Sequence, residues 1–106
     1  MELATEVYRL TRKFPSEEKF GLISQMRRAA VSVPSNLADG QARNTTGEFI
    51  QFISHAQGSL AELDTQCRLA SALGFCKPAD LEGIGLQVRE LQKMLKVLRR
   101  KLNTNH

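Results

Sequence analysis

Apolar residues along this chain recur at steps of three and four, and they do not alternate with period two over any useful length. The pattern falls into four runs. Leu3, Val7, Leu10 and Phe14 mark one helix face, which ends at Phe14-Pro15 because proline disfavours helical geometry in the residue before it. Ser16 is an N-cap candidate, with Glu17 and Glu18 where the positive end of a helix dipole accepts anions, and a second helix runs from there to about Arg43. Its inner stripe is Leu22, Met26, Ala29, Ala30, Val33, Leu37 and Gly40, whose small members admit a close neighbour. Thr45 and Glu48 form a T-x-x-E capping box for a third helix. The stripe there is Phe49, Phe52, Ile53, Ala56, Leu60, Leu63, Cys67 and Ala70, and Gly74 supplies the stop. Pro78 suits the first turn of a fourth helix. That helix has the cleanest repeat: Leu81, Ile84, Val88, Leu91, Leu95, Leu98 and Leu102, a seam sustained over about three heptads.

Four amphipathic helices with short connections predict an all-α fold, a single domain over 1–106 built as an antiparallel up-down-up-down four-helix bundle. The second helix contains an anomaly, since Pro34 removes a backbone donor and crowds the carbonyl of Ala30. Either the helix ends near Val33 and restarts, or it continues through a kink at Pro34. The kink is the expected form because Val33 and Leu37 stay in phase across the proline, with Ser32 or a water taking up the freed carbonyl.

A polar stripe of Arg28, Ser32, Ser35, Asn36, Asp39 and Arg43 runs opposite the apolar one, and the third helix offers Glu48, His55, Ser59, Glu62 and Gln66. Two solvated faces are one reading. The other is an interface network in which Arg28 and Arg43 meet Glu48 or Glu62, within or between subunits, fixing register more than stability. On the fourth helix Arg89, Lys93, Lys96 and Arg100 step by four, three and four away from the leucine seam, and Arg99 and Lys101 widen the patch. Such a stripe is either an ordinary solvated face or an electrostatic footprint for phosphate backbones, read by shape rather than by base. Leu86, Met94 and Val97, outside the seam, with Leu69 and Leu73 on the third helix, point instead to a protein-protein scaffold or subunit contacts.

Composition narrows the chemistry. A net charge of +4 favours an acidic partner, RNA or DNA among them. Two cysteines make no disulfide framework and no zinc site, and Cys67 on the core stripe is expected to be a reduced, buried thiol. His55 and His106 are the only histidines. His55 beside Ser54 is no catalytic dyad, because adjacent helical residues diverge by about 100°. No Gly-rich phosphate loop or di-iron Glu-x-x-His pair is present, so no catalysis, cofactor or metal is expected. Neither a signal peptide nor an apolar run of the roughly 20 residues that span a membrane is apparent, so a cytoplasmic location is expected.

The ordered elements FP-x-x-E-x-FGL, QMRRAA, PSN and GSL-x-EL, carried between Val7 and Gln66, resemble the bacterial four-helix-bundle family named for proteins encoded in 23S rRNA intervening sequences. The resemblance implies an up-down bundle and, as in several members, a ring-shaped homopentamer. It also implies kinship with the accessory protein of diversity-generating retroelements, a basic pentamer thought to bind nucleic acid and a reverse transcriptase. Two positions depart from the family pattern: the chain has no tryptophan for its first helix, and Asp39 precedes Gly40 where glutamate is common. Five chains at +4 each would make a multivalent cationic surface.

Overall fold

The computed structural model describes residues 2–104, and within them the chain forms four α-helices: α1 (Glu2–Thr11), α2 (Leu22–Gln41), α3 (Thr46–Ala72) and α4 (Glu82–Thr104). The apolar stripes account for the burial. Leu3, Val7, Met26, Ala30, Val33, Ile53, Ala56, Leu60 and Leu63 lie in one contiguous core, each almost fully excluded from solvent. α1 is shorter than its stripe predicts. It stops at Thr11, whose buried hydroxyl donates to the Val7 carbonyl at 2.8 Å. Phe14, past the helix end, still reaches the core and meets Phe75 at a ring separation of 5.6 Å.

The start of α2 also differs from expectation. Ser16–Glu18 forms only a 3-10 turn, and Ser16 caps nothing. Gly21, at φ −107° and ψ −113°, breaks the helical path, so α2 begins at Leu22. Glu18 nevertheless serves the new terminus, its carboxylate accepting the Leu22 N–H at 3.4 Å. From there α2 is unbroken through Pro34, which excludes an end near Val33. Ser32 does not take the Ala30 carbonyl that Pro34 frees. Its hydroxyl lies 2.8 Å from the Ala29 carbonyl, while the Asn36 amide donates to the Ser32 carbonyl at 2.7 Å.

α3 has well-formed ends. The Thr45 hydroxyl oxygen accepts the Glu48 N–H at 3.1 Å and lies 3.0 Å from the Glu48 carboxylate. Gly74 adopts φ +79°, and bonds from Gly74 N–H to Ser71 O and from Phe75 N–H to Ala70 O, both 3.0 Å, close α3 in a Schellman motif. Pro78 opens a 3-10 turn ahead of α4 rather than α4 itself, with Asp80 accepting the Lys77 N–H at 2.9 Å.

Gly40 late in α2 abuts Phe49 and Phe52 early in α3, and Ser32 bonds Ser59 at mid-helix, so these two helices run antiparallel. Gln57 on α3 accepts from Gln92 and Arg99 on α4, while Cys67 and Asp64 lie beside Glu82 and Gly85, the antiparallel arrangement again. α1 packs on the early turns of α4, with Glu6 beside Gly83. Ten residues of helix span only about 15 Å, against a long dimension of 48 Å for the described chain. The later turns of α4 therefore have no α1 opposite them. Only Ile84, Val88 and Leu95 of the leucine seam are buried, and Leu91, Leu98 and Leu102 are half-buried on the core's edge.

Candidate nucleic-acid interface

At 100° per residue the outward half of α4 carries two adjoining strips. Arg89, Lys93, Lys96 and Arg100 occupy one; Leu86, Val97 and Met94 occupy the other, with Glu90 and Lys101 among them. All six cations singled out from the sequence, Arg89, Lys93, Lys96, Arg99, Arg100 and Lys101, are exposed. Their side chains do not form one uniform row, however. Arg99 donates to the Gln57 side chain at 3.2 Å and is tied to α3. Arg89 folds back over Gly85, where its Nη1 lies 3.3 Å from the position a Cβ would take. Lys93, Lys96 and Arg100 are left facing water as the central group. Among the described residues the ion pair within 4 Å is Arg68–Asp64 on α3, so no carboxylate neutralises the α4 cations at that range.

Within the chain the polar network makes contacts other than ion pairs. Arg43 lies over the Phe52 ring, 4.7 Å from its centroid, instead of meeting an acid. Arg28 reaches Ser24 at 3.5 Å, and Glu48 is engaged in the Thr45 cap. Arg28 and Glu62 do line one groove between α2 and α3, with Ser32, Ser59 and Gln66, but no ion pair within 4 Å joins them in the chain. Gln66 Oε1 is buried without a hydrogen-bond partner at the edge of this groove. Asn36 is held on the Ser32 carbonyl, and Asp39 is exposed.

Burial pushes the Cys67 thiol up to about 12, with Cys76 and Asp64 adding to the effect. Cys76 is raised as well, by partial burial and then by Asp80. Neither sulfur is an activated nucleophile. Among the described residues no group of three His, Cys, Asp or Glu side chains is placed to hold a metal; His106 lies outside them. No helix among them is long and apolar enough to cross a membrane.

A family profile described as 23S rRNA-intervening sequence protein matches residues 1–97. The chain belongs to that family. A search of curated proteins gives no match. Membership in the 23S rRNA-intervening sequence protein family agrees with the small all-helical fold and with the ordered motifs between Val7 and Gln66. The sequence did not single out the ring pair Tyr8 and Phe20, which flank a groove on the α1–α2 side. An aromatic beside glycine in Lys19-Phe20-Gly21, outside every periodic stripe, was the available sign.

Proposed function

We propose that this family member is a non-enzymatic, self-associating helical bundle in the cytoplasm that holds structured nucleic acid by its phosphates along the basic strip of α4. The observation that carries the reading is the strip itself: Lys93, Lys96 and Arg100 stand exposed on successive turns, with no acid among the described residues within ion-pair range. A rigid helix presents such charges at a fixed spacing and can neutralise phosphates without reading bases. Arg89, Arg99 and Lys101 flank the group, and the first two hold their charge against the bundle surface. Association of chains, the pentamer of the family resemblance included, would repeat the strip and convert weak single contacts into avidity.

The test replaces Lys93, Lys96 and Arg100 with glutamine. Duplex RNA affinity should fall steeply at low salt, and the slope of log affinity against log salt should drop by about 2 to 3 in magnitude. Circular dichroism should be unchanged, because all three side chains are exposed. Equal affinity of the triple variant in a gel shift would falsify the phosphate reading.

A second reading is favoured by the adjoining strip. Leu86, Met94 and Val97 are 55%, 64% and 46% exposed, a level of apolar display that suits a protein contact. Binding through that strip should be nearly indifferent to salt, which separates the two readings in one titration.

A further inference from the structure

On the opposite side of the molecule from the α3–α4 contact, α1 and the start of α2 frame an open groove of about 630 Å³. Phe20 stands at its rim, 90% exposed, just before the helix begins. Tyr8 forms part of the wall, 39% exposed, with Val31 beyond it at 41%. Each aromatic has a cation on it. The Arg27 guanidinium lies 4.5 Å from the Tyr8 ring centroid, and Lys19 Nζ lies 5.7 Å from that of Phe20. Arg27 is fixed in place, since its Nε donates to the buried Thr11 hydroxyl at 2.8 Å and its Nη2 to the Tyr8 carbonyl at 3.4 Å. Arg28 completes the cationic lining, and no Asp or Glu side chain lines the groove.

We infer that this groove is a stacking site for unpaired nucleotides of a single-stranded nucleic acid. A nucleobase offers a flat π-face that any aromatic ring or guanidinium plane accepts, and its phosphate offers the charge that Lys19 and Arg28 lack. An apolar protein segment would satisfy the rings and bring no counter-charge to the three cations, whereas a duplex would supply that charge and keep its bases out of reach. The composition therefore favours single strands. The inference stands on residues of α1, α2 and the segment between them, and does not depend on the α4 strip.

Tyr8 is the one tyrosine in a chain without tryptophan, so its emission reports on this groove alone. The experiment titrates the full chain at low salt with a 12-nucleotide oligouridylate, and in parallel with an abasic oligomer of the same length and charge. Saturable quenching of Tyr8 by the oligouridylate, and none by the abasic strand, is the expected result. Phe20→Ala should weaken that binding about tenfold. Its fold should be intact because the ring is almost wholly in solvent. The glutamine triple variant of α4 should keep the quenching while it loses duplex RNA. Unchanged Tyr8 emission, or abasic and base-bearing strands that bind and quench alike, would overturn the assignment even if duplex binding persists. A smaller particle mass for Phe20→Ala in light scattering would overturn it too, because the groove would then be a seat for a second copy of the chain.

Discussion

At the scale of single residues, two glycines of the same type in neighbouring helices have opposite consequences. A Cβ at Gly40 would lie 2.8 Å from the Phe52 Cβ and 2.9 Å from Phe49 Cδ1. The Phe52 Cβ is anchored to the α3 backbone and has little room to yield. Gly40→Ala should therefore destabilise the fold, the helix propensity gain of about 1 kcal/mol being outweighed by an overpacking cost of about 1–3 kcal/mol. At Gly58 a Cβ would meet nothing within 4 Å, so Gly58→Ala should stabilise by about 0.5–1 kcal/mol. Urea denaturation of both variants tests the pair, and the same sign in both would show that helix propensity, not the α2–α3 approach, governs Gly40. Cys67 gives a pH-dependent counterpart. An unfolded thiol ionises near 9, whereas the folded one holds its proton to about 12. Between those values the native state binds more protons than the unfolded state, so stability falls as pH rises, by up to about 1.4 kcal/mol per pH unit. In Cys67→Ala that component of the slope should vanish. Unfolding curves from pH 8 to pH 11 compare the slopes rather than the absolute stabilities, which sets aside the cost of the smaller side chain.

At the scale of elements, the interiors of the helices were legible in the sequence and their ends were less so. Periodicity reports which face is buried, and Val33, Leu60 and Val88 all fall where their spacing puts them. The ends answer to other terms. Ser16 has the chemistry of an N-cap, but the backbone of Gly21 interrupts the helical path, and Glu18 takes over the terminal N–H. Thr45 succeeded as a cap because cap and helix start coincide there. The α4 cations were legible as a strip, yet their aim was not. Arg99 and Arg89 turn toward Gln57 and Gly85, partners set by tertiary packing and invisible to spacing. Phe20 was missed for the complementary reason, since an exposed ring belongs to no stripe. Pro34 remains the most testable element. A proline inside a helix costs about 3 kcal/mol relative to alanine, and its restriction of the unfolded chain returns up to about 1 kcal/mol. Pro34→Ala should therefore raise the thermal midpoint. A lower midpoint would mean that the packing of α2 depends on the bend that the proline was expected to impose.

At the scale of the whole molecule, the two strips of α4 are coupled by their placement. Leu86 and Val97 lie directly beside Lys93 and Arg100 around the helix, with Met94 at the far edge of the apolar strip. If the proposed self-association uses the apolar strip, each contact brings the cationic strips of two copies side by side, and a nucleic acid spanning them meets both at once. The gain from such linkage is commonly a hundredfold or more, about 10²–10⁴. Replacing Leu86, Met94 and Val97 together with glutamine removes no charge and alters only exposed side chains. The variant should nevertheless shed its assembly in light scattering and lose duplex RNA affinity on the order of a hundredfold. The salt slope should shrink as well, because fewer phosphates are neutralised per binding event. An unchanged particle mass would place the joint between subunits elsewhere on the surface. A reduced mass with unchanged affinity would show that one copy's Lys93, Lys96 and Arg100 suffice, and that assembly serves another purpose than gathering charge.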